Sequence, residues 1–241
     1  MQIFKNIIKF LLSKILGLSF LERLTQNIIH RKIIRIKKPK IVSNVNGSLK
    51  SLSADLWNDL LRHKVWEKIP EYVSSNSDII YLEFGVWEGH SINYFAKKYK
   101  SKDSEFYGFD TFHGFPENCL DMSKGHYSTD GAIPETDDIR IKFIKGLFQK
   151  SLNDFIKNLK PESRKKTVII HFDAPLYSAT LYNLFKLDEK FKNYYFIFDQ
   201  FGTAECRAIN DFSKSTMQDY DLYLTSILNY APEVVFGKFK N

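Results

Sequence analysis

The chain has 241 residues, 44% hydrophobic and 26% charged, which suits one α/β domain with an appendage and excludes a fibre, a disordered tail or a multi-pass membrane protein. Two cysteines, Cys119 and Cys206, are too few for a disulfide-stapled secreted fold and give no repeated Cys/His spacing for structural zinc, so a reducing, cytoplasmic setting is expected. The net charge of +7 resides in the N-terminus: residues 1–40 carry +9 and residues 41–241 carry −2, so the body lacks a basic face for nucleic acid and no such partner is expected.

Residues 3–29 set Phe4, Ile7, Ile8, Leu11, Ile15, Leu18 and Leu21 at helical spacing, with Gln2, Lys5, Asn6, Lys9 and Ser13 largely opposite, predicting a basic amphipathic helix or helix pair. Lys5, Lys9 and Lys14 interrupt any run near the roughly 20 apolar residues of a membrane span. The uncharged stretch 15–21 is short for a signal peptide. A basic run follows at Arg31, Lys32, Arg35, Lys37, Lys38 and Lys40. Two readings of the arm, residues 1–50, stay open: peripheral contact with anionic lipid at the inner membrane face, or packing on the body or on a second copy in a homo-oligomer.

The main domain is expected over 51–241. Leu56, Trp57, Leu60, Leu61, Val65 and Trp66 predict a helix that Pro70 closes. β-rich runs recur at 79–84, 105–109, 141–144, 168–172 and 194–198, separated by helical stretches at 90–99, 149–159, 178–191 and 205–215. That alternation predicts a doubly wound, mostly parallel α/β sheet. Residues 221–228 and 234–239, joined by a turn containing Pro232, predict a terminal hairpin. The irregular stretch 113–138 is too long for an idle connection. It is expected to be a lid or substrate loop, with His113, Lys124, His126 and Tyr127 as acceptor contacts; disorder is the alternative reading.

Ligands of an open parallel sheet bind beyond the carboxyl ends of its strands. There the strand at 79–84 runs into Gly85, Val86, Trp87, Glu88, Gly89, His90 and Ser91. Gly85 permits a tight turn, Gly89 opens a helix and Ser91 is placed to cap it. Trp87 stands where a dinucleotide fingerprint needs a glycine, so the turn suits a nucleoside cofactor without phosphates. Asp110, 21 residues after Gly89, ends the next strand where an acid accepts from a ribose. Gly146 and Phe148 follow the third strand, either beside an adenine or as ordinary turn and core residues. Asp173 and Asp199 end the fourth and fifth strands, as proton acceptors, as ligands of a hard cation, or as simple helix caps. His171 is expected inside its strand as a hydrogen-bonded residue rather than a base, and His90 and His126 are unranked.

Taken together, LEFGVWEGHS at 82–91, YGFDTFHGFPE at 107–117, KGLF at 145–148, HFDAPLYSAT at 171–180, IFDQFG at 197–202 and ECRAINDF at 205–212 resemble the macrocin O-methyltransferase-like family of class I S-adenosylmethionine-dependent methyltransferases, over about residues 79–215. The resemblance implies a Rossmann-like, seven-stranded sheet with an antiparallel last strand. It implies that Glu83, Gly85, Gly89 and Ser91 surround the methionine part of S-adenosylmethionine, that Asp110 with Thr111 and Phe112 holds the ribose, and that Gly146 with Phe148 lies near the adenine. It implies methylation of a sugar hydroxyl on a glycan or glycoside, with magnesium (Mg2+) held by acids matching Asp173 and Asp199. The basic arm adds a lipid-linked glycan to the expected acceptors.

Two departures stand out. Asp173-Ala174-Pro175-Leu176-Tyr177 replaces an Asp-x-Asp-Leu-Tyr pattern, and Asp199-Gln200 replaces two adjacent acids, so magnesium affinity should fall. On this reading Asp173 takes the hydroxyl proton or holds magnesium, and Asp199 is the second ligand or base. The competing expectations are a non-catalytic S-adenosylmethionine-binding protein, with Pro175 and Gln200 marking a decayed centre, and an NAD-linked oxidoreductase, which Trp87 argues against.

Overall fold

The computed structural model describes residues 18–45, 58–119 and 122–240; of the helix or helix pair expected over 3–29, residues 3–17 lie outside them. Leu18–Lys37 forms α1. It stops at Lys38, which takes the left-handed conformation (φ 48°), and at Pro39, which cannot continue a helix. Arg31, Lys32, Arg35 and Lys37, expected to follow the helix, lie within it. His30 and Ile33 are buried, and Lys37 pairs with Asp219 and the Tyr220 carbonyl, so this part of the arm packs on the body.

Lys40–Val45 is β1. A π-helical turn at Asn58–Arg62 runs into the short α2, His63–Trp66. There follow β2 (Ile79–Phe84), α3 (His90–Lys98), β3 (Glu105–Asp110), β4 (Ile141–Lys145), α4 (Phe148–Asn158), β5 (Thr167–Phe172), α5 (Tyr177–Asp188), β6 (Tyr195–Phe198), a second π-helical turn (Phe201–Glu205), α6 (Cys206–Thr216), β7 (Tyr220–Leu228) and β8 (Ala231–Phe239).

The strands make one sheet in the order β1-β7-β8-β6-β5-β2-β3-β4. The sequence IIYLEF of β2 is buried at every position and TVIIHF of β5 at all but its first, as central strands covered on both faces must be. One layer, with α1, α4, α5 and α6, packs Ile33, Leu152, Leu184 and Phe212 against the sheet. The other, with α2 and α3, packs Val65, Trp66, Ile92 and Phe95. Each such fully buried side chain contributes about 1.5–3 kcal/mol, which makes the sheet a rigid base for the residues at its rim.

The Rossmann-like architecture matches the expectation, with β8 antiparallel to β6 and β7, but the strand number does not. The eighth strand, β1, comes from the segment expected to be a helical arm and pairs parallel to β7, from Lys40 opposite Leu224 to Val45 opposite Leu228. Pro232 also differs: it lies inside β8 opposite Ile227. The turn is Asn229–Tyr230, both with positive φ (49° and 67°), the backbone of a two-residue hairpin turn. The β8–β6 ladder begins only at Val235, so the missing N–H of Pro232 leaves no gap there.

Candidate active site

With β3 on one side of β2 and β5 on the other, the winding of the sheet reverses at β2 and a crevice opens at its carboxyl end. A cavity of about 1800 Å³ lies there. That exceeds the roughly 300–1,000 Å³ of an ordinary ligand pocket, leaving room for a nucleoside-sized molecule and a second reactant. Glu88, Asp110, Glu135, Asp137, Asp138, Asp173 and Glu233 line it, against Arg62 and Lys97 as fixed cations.

One wall is the loop after β2. Gly85 takes φ 95°, and a Cβ there would sit 2.2 Å from the Asp173 carbonyl oxygen. The glycine expected to admit a ligand is therefore required first by the chain itself. Trp87 also has positive φ (51°) and is 39% exposed, a conformation costing about 1–3 kcal/mol unless its surroundings hold it. Asp110 supplies the hold: its Oδ2 accepts from the N–H groups of Val86 (2.7 Å) and Trp87 (3.0 Å), and its Oδ1 from that of Phe112 (2.8 Å). Three backbone donors leave about one of the carboxylate's four lone-pair sites for a ribose hydroxyl.

The other expected cofactor residues divide between wall and interior. Gly85, Gly89, Ser91, Asp110, Thr111 and Phe148 line the cavity. Glu83 is enclosed, accepting from the hydroxyls of Tyr81 (2.7 Å) and Ser91 (2.8 Å). Phe112 is buried against Phe143, and Gly146 donates its N–H to the Asp110 carbonyl (2.8 Å) behind the wall that Leu147 and Phe148 form. Glu83 and Phe112 thus support the site from within.

Asp173 and Asp199 come together around a residue that sequence reasoning missed. Arg62 places Nη2 2.8 Å and 2.9 Å from the two oxygens of Asp173, and Nε 3.0 Å from Oδ2 of Asp199. The π-helical turn ending at Arg62 brings it there across 111 positions of sequence from Asp173. Asp199, fully enclosed, also meets His171 Nε2 (2.9 Å) and the indole N–H of Trp66 (3.3 Å). His171 Nδ1 lies 2.6 Å from the Tyr81 hydroxyl. Asp173 reaches the cavity and Asp199 does not.

Charges in this cluster are set by burial and neighbours. Burial opposes the His171 charge, but Asp199 and Glu83 overcome it and raise His171 to about 10. Burial likewise opposes ionisation of Asp199, yet His171 and Arg62 hold it below the usual carboxylate range. At Asp173 burial, opposed by Arg62 and reinforced by Asp199, raises the carboxyl to about 6. Glu233, delivered to the wall by β8, is raised to about 7 by burial against the pull of Arg62. Glu205, enclosed and accepting from the Gln200 N–H (3.1 Å), is pushed well above the ordinary range, again by burial.

His171, Asp173 and Asp199 offer ligand atoms within 4.8 Å of one another. Magnesium requires near-octahedral oxygen coordination at about 2.0–2.1 Å. Here Arg62 spans both carboxylates and His171 is turned onto Asp199, so the donor set does not fit that ion.

The stretch 113–138, of which positions 120 and 121 lie outside the described residues, is held by its own bridges and hydrogen bonds. His113 bridges Ser128 and Cys119 bridges Met122. Gly131 donates to the Phe112 carbonyl (2.7 Å), and Lys145 holds the Gly131 carbonyl (2.7 Å). Of the four acceptor contacts expected, Tyr127 alone lines the cavity, edge-on to Trp87 at 5.3 Å. A lone Arg62 in an amphipathic run and a Glu233 inside a strand carry no local signal of a site. Only the fold brings them to the crevice.

No family model and no curated protein matches this chain. Among solved structures, it is similar to the O-methyltransferase NovP, at 19% identity over 69% of this chain and 73% of that one, with a TM-score of 0.49. An O-methyltransferase from Bacillus cereus in complex with S-adenosylhomocysteine (SAH) is similar at 11% identity over 91% and 100%, TM-score 0.48. So is TomG from Streptomyces achromogenes, an O-methyltransferase involved in tomaymycin synthesis in complex with S-adenosylmethionine (SAM), at 11% over 96% and 94%, TM-score 0.43.

Proposed function

We propose that the chain transfers a methyl group from S-adenosylmethionine to a hydroxyl of a sugar-containing acceptor. The observation that carries this reading is the charge of the cavity. Carboxylates dominate a wall that includes a glycine turn and Asp110, which favours a cationic sulfonium cofactor and opposes the pyrophosphate of NAD. Trp87 and Tyr127 present aromatic surface at the wall, supporting a sugar-containing acceptor.

Methyl transfer is an in-line displacement: the acceptor oxygen bonds the methyl carbon as the carbon–sulfur bond breaks, and the hydroxyl proton leaves. Alignment of the reactants is worth up to about 7–11 kcal/mol. Asp173 is the carboxylate that takes the proton, because it opens to the cavity and, at about 6, ionises near neutral pH. Asp199 acts by positioning Arg62 and His171.

On α1, Ile28 and Ile36 are exposed beside Arg31, Lys32 and Arg35, which supports peripheral contact with an anionic membrane and hence a lipid-linked glycan acceptor. Sedimentation of the full chain with anionic but not neutral liposomes tests this. Calorimetry with S-adenosylmethionine and S-adenosylhomocysteine tests the cofactor. Binding is expected, and its absence would overturn the reading. Binding without methyl transfer to any hydroxyl would point instead to a non-catalytic cofactor-binding protein.

A further inference from the structure

We infer that the Arg62 guanidinium is the resident cation of this site and occupies the seat between Asp173 and Asp199 that a divalent metal would otherwise take. Its Nη2 addresses both oxygens of Asp173 and its Nε addresses Asp199. One rigid fork thereby sets the spacing of two acids from different strands, which a planar, always-charged group does well. His171, in contact with Asp199 Oδ2 and with Tyr81, is the second fixed contact. The arginine is itself held. Its side chain is 17% exposed, it follows a π-helical turn, and its guanidinium lies 5.9 Å from the Trp66 ring.

A divalent ion entering here would have to displace the guanidinium from both carboxylates and then sit beside it. Like charges at that range repel strongly in a low-dielectric pocket. Removing Arg62 reverses the situation. Asp173 and Asp199, with ligand atoms within 4.8 Å of each other, would keep only the His171 contact to Asp199 to offset their charge, and a vacated seat of net negative charge attracts a small hard cation.

Titration of the full chain with Mn2+, read by the loss of the free-ion electron paramagnetic resonance signal, tests this without cofactor or acceptor, so its result bears on Arg62 and leaves the methyl-transfer reading untouched. Wild type is expected to take up no Mn2+ at concentrations up to about 1 mM, whereas Arg62→Ala binds one ion at least about tenfold more tightly than that limit. Adding Asp199→Asn to Arg62→Ala should abolish the new site. Arg62→Met, of similar length and uncharged, serves if the alanine variant does not fold. Wild-type binding of Mn2+ that Asp199→Asn removes would overturn the inference, as would a folded Arg62 variant that binds none. Should neither variant fold, the wild-type titration decides by itself.

Discussion

At Gly85 the loops after β2 and β5 touch, and the left-handed backbone and the nearby Asp173 carbonyl act on the same atom position. Gly85→Ala should therefore cost about 2–4 kcal/mol of stability, measured by urea unfolding. Asp173→Asn asks a different question. It keeps the side chain's size but removes the proton acceptor and the charge that pairs with Arg62, so methyl transfer should fall by about 10²–10⁴ while calorimetric affinity for S-adenosylmethionine changes little. Unchanged turnover would remove Asp173 from the reaction. His171 gives a pH prediction. Raised from 6.5 to about 10, it stabilises the fold fully below pH 6.5, and that contribution is lost as pH climbs toward 10. The thermal midpoint should decline between pH 7 and 10, more steeply in wild type than in His171→Gln, as differential scanning fluorimetry would show.

Among the elements, those with apolar residues on both faces are legible in the sequence. The run 79–84 coincides with β2, and the runs expected for β3, β4, β5 and β6 each fall within one residue of the strand at either end. Glycines and acids at their carboxyl ends mark the rim correctly for a related reason: in a parallel sheet those ends gather on one side. What stays hidden depends on long-range pairing. β1 contains Ser43 and Asn44 and follows a basic helix, so nothing local marks it as a strand. The Asn229–Tyr230 turn lacks the glycine that usually announces a two-residue hairpin, which leaves Pro232 as the stronger but misleading local signal. Arg62 belongs to the same class, since its partners lie over a hundred positions away. The α1 helix also proves to be part of the domain: Ile33 is 7% exposed and packs in the larger core. Ile33→Ala should destabilise the whole protein by about 2–3 kcal/mol in denaturant unfolding; a loss confined to a local, non-cooperative step would mean that the arm is detachable.

For the whole molecule, the large acidic cavity and the rigid sheet beneath it predict a ligand-dependent melting profile. S-adenosylmethionine at 100 times its dissociation constant should add about 2.7 kcal/mol to unfolding. Magnesium at millimolar concentration should add nothing, because Arg62 already bridges the two acids. The pairing of β1 with β7 has a consequence for biosynthesis. Lys40 meets Leu224, so β1 leaves the ribosome long before its partner has been made. At the 5–20 residues per second of translation, the interval is roughly 10–40 s. Throughout it, β1 lacks its partner strand, and because its neighbour in the sheet is β7, it cannot pair until the C-terminal hairpin of β7 and β8 arrives. Chains truncated before β7 should therefore aggregate more readily than the full chain, and deleting residues 40–45 from the truncated chain should reduce that aggregation, as light scattering would show.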